Sequence, residues 1–267
     1  MMGRAVMMGR VVALLTCAAS LVHAQRGNTP VATPKATAPI DLTGYWVSIV
    51  TQDWRWRMVT PAKGDYLGVP ITVDAKKVAD AWDPAKDEAA GEQCRSYGAP
   101  ALMSVPGRLH ITWQDDRTLK VDTDAGTQTR VFHIGDWQAP KDTPRSWQGI
   151  SVAQWQMPAN NVPTQLRPAP RSATDQPAPG SKSGSLRVVT TNLRPGYLRK
   201  NGVPYSANAV LTEYWDLFKR PNGEEWLTIT TQIDDPQYLR QPRLIALPFK
   251  KESNGAKWDP TPCSARW

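Results

Sequence analysis

Short alternating segments separated by turn residues leave this chain few architectures. Arg108–Gln114 (RLHITWQ), Thr118–Thr123 (TLKVDT) and Thr129–Ile134 (TRVFHI) follow one another across Asp115-Asp116-Arg117 and Asp124-Ala125-Gly126. Period-2 alternation marks half-buried strands, and Asp/Gly clusters mark the turns between them. Tyr45–Val50, Ser151–Gln156, Leu186–Thr191 and Leu244–Lys250 have the same character. Val210–Phe218 and Glu225–Ile233 flank Pro221-Asn222-Gly223 and form a hairpin. Eight to ten short strands in one domain predict an all-β fold, a single antiparallel barrel, with a β-sandwich as the alternative.

Helices are few. Asp74–Trp82 reads as one, with Asp74 as N-cap and Val78, Ala79 and Trp82 on one face. A second short helix starts at Pro84 and stops at Gly91. Residues 158–184 carry six prolines and read as a disordered insertion in the domain spanning 41–267.

The first 24 residues have the pattern of a secretory signal peptide. Arg4 and Arg10 precede an apolar run from Val11 to Val22, and Val22-His23-Ala24 supplies small residues for cleavage. Residues 25–40 then read as a flexible lead-in rich in Pro, Thr and Ala. Cleavage after Ala24 leaves 30 Lys+Arg against 24 Asp+Glu, a charge of +6 spread along the chain without a basic cluster. No nucleic-acid motif and no stable membrane anchor are expected, and the location is periplasmic or secreted. Cys94 and Cys263 remain after cleavage, and an even number of cysteines in an oxidising compartment predicts one disulfide. With 21% charged and 40% hydrophobic residues, the chain is neither a disordered tail nor a coiled coil.

Two resemblances follow from particular residues. Gly44-Tyr45-Trp46 at the first strand is similar to the Gly-x-Trp start of lipocalin-like (calycin) barrels, which implies a tryptophan plugging one barrel end. An ordered set of segments resembles a group of secreted, functionally uncharacterised proteins of Gram-negative bacteria. It comprises Asp41-Leu42-Thr43-Gly44-Tyr45-Trp46, Cys94 with Gly98-Ala99-Pro100, Trp147–Trp155, Leu186–Thr191, Leu211-Thr212-Glu213, and Ile233–Tyr238 with Pro242. The likeness spans roughly 41 to 245 and implies fold and location, but no activity. The chain departs from the group's Trp-Glu-Gly-Asp hairpin, since Trp155-Gln156 runs into the Pro-rich insertion.

Candidate chemistry is sparse. No nucleophile elbow, P-loop, dinucleotide fingerprint, metal-ligand spacing or haem site occurs, so no cofactor is expected. His110 and His133 lie on the first and third strands of the meander. On a shared face they would stand roughly 9–10 Å apart, as two walls of a pocket. Glu213 sits inside an apolar strand, where a carboxylate needs either a partner or an outward position. These three are the candidate acid/base residues. Trp54-Arg55-Trp56-Arg57 interleaves rings and guanidinium groups, and as a strand it would stack the tryptophans on one face as a platform or acid clamp. Trp46, Trp113 and Tyr214 complete the candidate ligand-binding set. The leading expectation is a barrel holding a small, partly apolar molecule in an aromatic-lined cavity. The alternatives are a cofactor-independent isomerase, cyclase or hydrolase, and an envelope protein that acts through its surface.

Overall fold

The computed structural model describes residues 3, 32–157 and 184–266. The expected signal peptide, Cys17 and nearly all of the Pro-rich insertion lie outside them. Residues 32–266 build a closed barrel of nine strands. In chain order the strands are β1 (Gly44–Ser48), β2 (Arg108–Trp113), β3 (Thr118–Thr123), β4 (Gln128–Ile134), β5 (Ile150–Gln156), β6 (Ser185–Thr191), β7 (Gly196–Tyr197), β8 (Pro204–Tyr205), β9 (Val210–Lys219), β10 (Glu225–Asp234) and β11 (Arg243–Glu252). The barrel runs β1-β11-β10-β9-β6-β5-β4-β3-β2, while β7 and β8 form a separate two-stranded ribbon. Closure by β1 with both β2 and β11 removes the sandwich alternative.

One pair departs from the antiparallel expectation: β4 and β5 run parallel, with Phe132 opposite Ser151. Parallel neighbours need a crossover of a dozen or more residues. The long connection from Gly135 to Gly149 carries the chain back to the starting end of the barrel.

The barrel interior is filled by side chains, as an eight- or nine-stranded barrel permits. Trp46, Ile111, Phe132, Trp215, Leu227 and Phe249 all point inward and are buried. Phe132 and Trp215 meet edge to face at 5.2 Å. Each such side chain contributes about 1.5–3 kcal/mol through burial. Trp46 is fully buried in the core, and its indole N–H donates to the Leu42 carbonyl at 2.9 Å. Gly44 enters the strand at φ +112, a conformation that disfavours any side chain.

Both barrel ends are covered. At the end where β1, β2 and β4 meet Trp113, Trp155 and Ile134, residues 32–43 pack across the opening. Ile40 and Leu42 are buried there, and the Trp155 indole donates to the Pro34 carbonyl at 3.0 Å. The described part of the expected flexible lead-in is therefore ordered against the barrel.

The opposite end is covered by helical turns and the β7–β8 ribbon. These turns are α1 (Trp54–Arg57), α2 (Val73–Asp80), α3 (Pro84–Ala89), a 3₁₀ turn (Gln93–Tyr97) and α4 (Ala99–Leu102). The cap of α2 is Thr72, whose hydroxyl accepts from the Ala75 N–H, rather than Asp74 as the sequence suggests. Asp74 sits in the first turn, where a negative charge suits the helix dipole. Asp83 caps α3, Pro84 opens it, and Gly91 at φ +70 follows its end. Cys94 and Cys263 form the expected disulfide, fastening the C-terminal segment to the 3₁₀ turn.

Candidate functional site

The proposed acid/base trio does not assemble. Register places His110 opposite Asp122 and His133 opposite Thr118, four residues apart on β3. Four residues along a strand and two strand spacings across separate the two histidines by about 16 Å. Both point outward. His110 stacks on Tyr45 at 4.1 Å, with Trp258 edge-on. His133 stacks on Trp137 at 3.7 Å, and its burial lowers its pKa. The two-wall pocket is thus replaced by two separate aromatic packing sites on the outer wall.

Glu213 points inward and is fully buried, opposite a fully buried Arg130. The guanidinium grips the carboxylate with two bonds, Nη1 to Oε1 at 2.9 Å and Nη2 to Oε2 at 2.6 Å. Nη2 also donates to Thr190 Oγ1 at 3.1 Å, and the Thr190 and Ser151 hydroxyls lie 2.7 Å apart. A carboxylate held this way in a packed core is a structural partner. It is unsuited to exchanging protons with a substrate.

The ligand-binding candidates divide. Trp46 is core, Trp113 packs near Trp155 at the far barrel end, and Tyr214 faces outward from β9. The run Trp54–Arg57 is a single helical turn, so strand alternation does not apply to it. Its first member, Trp54, is 66% exposed, whereas Arg57 is buried. Arg55 is exposed and pairs with Asp65 at 2.8 Å. Trp56 and Arg57 do line a recess, but it lies beneath the helical cover at the barrel mouth.

That recess is a small, partly open cleft with a cavity volume of about 30 Å³. Asp53, Trp56 and Arg57 come from α1 and the residue before it. Ser96, Ala101, Ser104 and Val105 come from the 3₁₀ turn and α4 with its following turn. Leu198, Arg199 and Lys200 follow β7, and Arg243 opens β11. Arg57, Arg199, Lys200 and Arg243 therefore line it, with Asp53 the carboxylate among the described lining residues.

Each cation is fixed by its surroundings. Arg57 Nε donates to the Ser104 carbonyl at 2.7 Å, while its buried Nη2 has no hydrogen-bond partner. Arg199 Nη1 donates to the Leu67 carbonyl at 2.7 Å. Its Nη2 has only Asp53 Oδ2 at 3.5 Å, outside hydrogen-bonding geometry. The Arg199 guanidinium also lies over the Trp56 ring at 4.6 Å. Arg243 Nη2 reaches the same Asp53 oxygen at 3.3 Å. Lys200 donates to the Tyr97 hydroxyl at 2.6 Å. Asp53 itself adopts a left-handed backbone, φ 52, which places its carboxylate between Arg199 and Arg243. Non-glycine residues in this conformation concentrate at functional sites.

Desolvation shifts the pKa of each of these cations downward. Burial lowers the pKa of Arg57 and Arg243. Burial, with Arg243 nearby, brings Arg199 down to about 10, and burial brings Lys200 down to about 8. An anion entering the recess would meet the Arg57, Arg199 and Arg243 guanidinium groups and supply the acceptor that Arg57 Nη2 lacks.

Sequence reasoning found Trp56 and Arg57 but missed Asp53, Arg199, Lys200 and Arg243. Arg243 follows Pro242 at a strand start, and Arg199-Lys200 lies in a loop before Gly202. Only the fold brings these segments to α1. No protein-family model matches the chain, and neither a curated protein nor a solved structure matches it.

Proposed function

We propose that the protein is an exported binding protein that takes a small anionic ligand at the barrel mouth, in the recess between Arg57, Arg199 and Arg243. One observation carries this reading: three buried guanidinium groups converge with a single carboxylate among them, and Arg57 Nη2 lacks an acceptor. Burying an uncompensated charge is expensive, and an unpaired buried donor costs about 1–3 kcal/mol. Planar guanidinium forks match carboxylate and phosphate oxygens. The aromatic Trp56 wall adds a stacking surface for the ligand body, as in the acid-clamp reading of the Trp-Arg run.

Export is supported by the signal-like first 24 residues, by the ordered likeness to secreted Gram-negative proteins, and by the Cys94–Cys263 disulfide. Among the described residues no helix is long and apolar enough to cross a membrane.

The test is calorimetric titration at low ionic strength with a panel of carboxylates and phosphates, beside thermal unfolding. A ligand at 100 times its Kd should stabilise the fold by about 2.7 kcal/mol. Arg57→Gln and Arg243→Gln should each weaken binding at least tenfold while retaining the wild-type far-UV spectrum. Folded variants that bind as tightly as the parent would sink the proposal, as would the absence of any bound anion across the panel.

A further inference from the structure

The recess holds an acid among its bases. Asp53 Oδ2 stands 3.3 Å from Arg243 Nη2 and 3.5 Å from Arg199 Nη2, and all three residues line the cleft with Arg57. Both separations exceed the about 2.7–2.9 Å of a charge-assisted hydrogen bond. The Arg130–Glu213 pair, with bonds of 2.9 and 2.6 Å and no exposure, is the contrast within the same chain. Asp53 keeps 29% of its side chain exposed. It makes no cap bond to the first turn of α1, the usual role of an aspartate at that position. Its carboxylate is thus neither sealed in a tight pair nor spent on the helix, and it remains an acceptor on the recess wall.

Three guanidinium groups against that carboxylate leave a surplus of two positive charges, before Lys200 is counted. The groups feel one another. Burial is the main cause of the lowered Arg243 pKa, and Arg57 adds to it; burial and then Arg243 lower that of Arg199. Arg57 Nη2 is a buried donor without an acceptor. The cavity volume of about 30 Å³ has room for roughly two or three waters, which need about 10–15 Å³ each, and so suits a compact ion. A monocarboxylate offers one charge and two oxygens to three guanidinium groups, and a zwitterion leaves the surplus in place. A tetrahedral dianion supplies both charges and four oxygens. Asp53 then decides between such ions, because a carboxylate accepts from a protonated oxygen and repels a bare one. Hydrogen phosphate carries a P–OH, whereas sulfate near neutral pH carries no proton. From the convergence of Arg57, Arg199 and Arg243 with the Asp53 carboxylate, we infer that the ligand is free hydrogen phosphate and that Asp53 is the residue that rejects sulfate. The guanidinium groups take the bare oxygens, and Asp53 accepts from the P–OH. This inference rests on the anion-binding reading and narrows it to one ion and one selecting residue.

The test is calorimetric titration near neutral pH and at low ionic strength with phosphate, sulfate, methyl phosphate, acetate and glycine. Methyl phosphate is largely dianionic there and has no P–OH to donate. Phosphate should bind at least about tenfold tighter than sulfate or methyl phosphate, the factor that one hydrogen bond to a charged group implies. Asp53→Asn suits the left-handed backbone and should bring sulfate within about threefold of phosphate, by removing the repulsion that excludes it. The parent's own preference is read without any variant. Sulfate or methyl phosphate bound as tightly as phosphate would overturn the role of Asp53 and leave the anion site standing. A preference that survives in folded Asp53→Asn would place the selection elsewhere and overturn the assignment. Acetate or glycine bound more tightly than phosphate would replace the phosphate with a carboxylate or a zwitterion. Absence of binding for all five would remove the anion site and this inference together.

Discussion

Replacing Glu213 with Gln keeps the side chain's shape and removes its charge, leaving the Arg130 guanidinium buried without a counter-ion. Both side chains are 0% exposed, and two charge-assisted bonds at 2.9 and 2.6 Å join them. Breaking such a pair from one side costs about 3–5 kcal/mol. In a domain of this size each kcal/mol moves Tm by about 2–4 °C, so the midpoint should fall by about 6–20 °C. The double replacement Arg130→Met with Glu213→Leu removes both charges. It also removes Arg130 Nε, a buried donor with no partner, while Thr190 keeps its 2.7 Å contact with Ser151. The double variant should therefore lie within about 2 kcal/mol of the parent, because neither ion is left to be desolvated. Urea unfolding with the disulfide intact, followed by circular dichroism and tryptophan emission, measures all three proteins. A single variant losing less than about 1 kcal/mol, or a double variant as unstable as the single, would refute the description of this pair as a coupled, water-free unit.

Other outcomes follow from the same packing. Gly98→Ala puts a Cβ 2.0 Å from the Tyr205 hydroxyl and should cost about 1–3 kcal/mol. Tyr205→Phe removes that hydroxyl, which is buried without a partner, and should restore much of the loss when the two changes are combined in urea melts. Opening the Cys94–Cys263 bond, which spans 169 residues, should lower stability by about 2–5 kcal/mol, read as the shift in urea midpoint on adding reductant. Affinity for a small anion should fall as pH rises through about 8, where Lys200, which lines the recess and donates to the Tyr97 hydroxyl, loses its proton. Lys200→Met should erase that step in calorimetric titrations at pH 6.5 and 9. The stability effect has the opposite sign: a lysine pKa depressed by folding means the unfolded chain holds more protons between about 8 and its ordinary value. Lys200 therefore makes stability rise with pH across that window.

The barrel strands were legible because each buries one face, so period-2 alternation survives in the sequence. Thr118–Thr123 has the same limits in both readings, and the outward setting of His133 opposite Phe132 and Ile134 follows from alternation alone. The same rule also places Arg130 inward, a position that only a partner of opposite charge can stabilise, and Glu213 is such a partner. Alternation on each strand is local, however, and the register that brings β4 and β9 face to face across the barrel is not. Trp54–Arg57 was misplaced for a different reason. Four residues suffice for one helical turn but not for a period to declare itself, and Arg57 is buried by contacts with Ser104 and Gln52 that no neighbouring residue predicts. The recess draws on segments from 53 to 243, so its charge cluster exists only once the chain has folded.

The barrel is closed by its first and last strands, with Tyr45 opposite Glu252 about two hundred residues away in the chain. Until β11 is available, β1 and β10 present open edges whose unpaired N–H and C=O groups invite pairing with other chains. The assembled sheet has no edge, but every partly folded or C-terminally shortened form has two. Chains ending before Arg243 should accumulate as aggregates rather than as smaller barrels. Such non-local pairing also places folding on the slow side for a domain of this size. The seam between β1 and β11 thus sets both how quickly a new chain becomes safe from its neighbours and how much of its C-terminus can be lost.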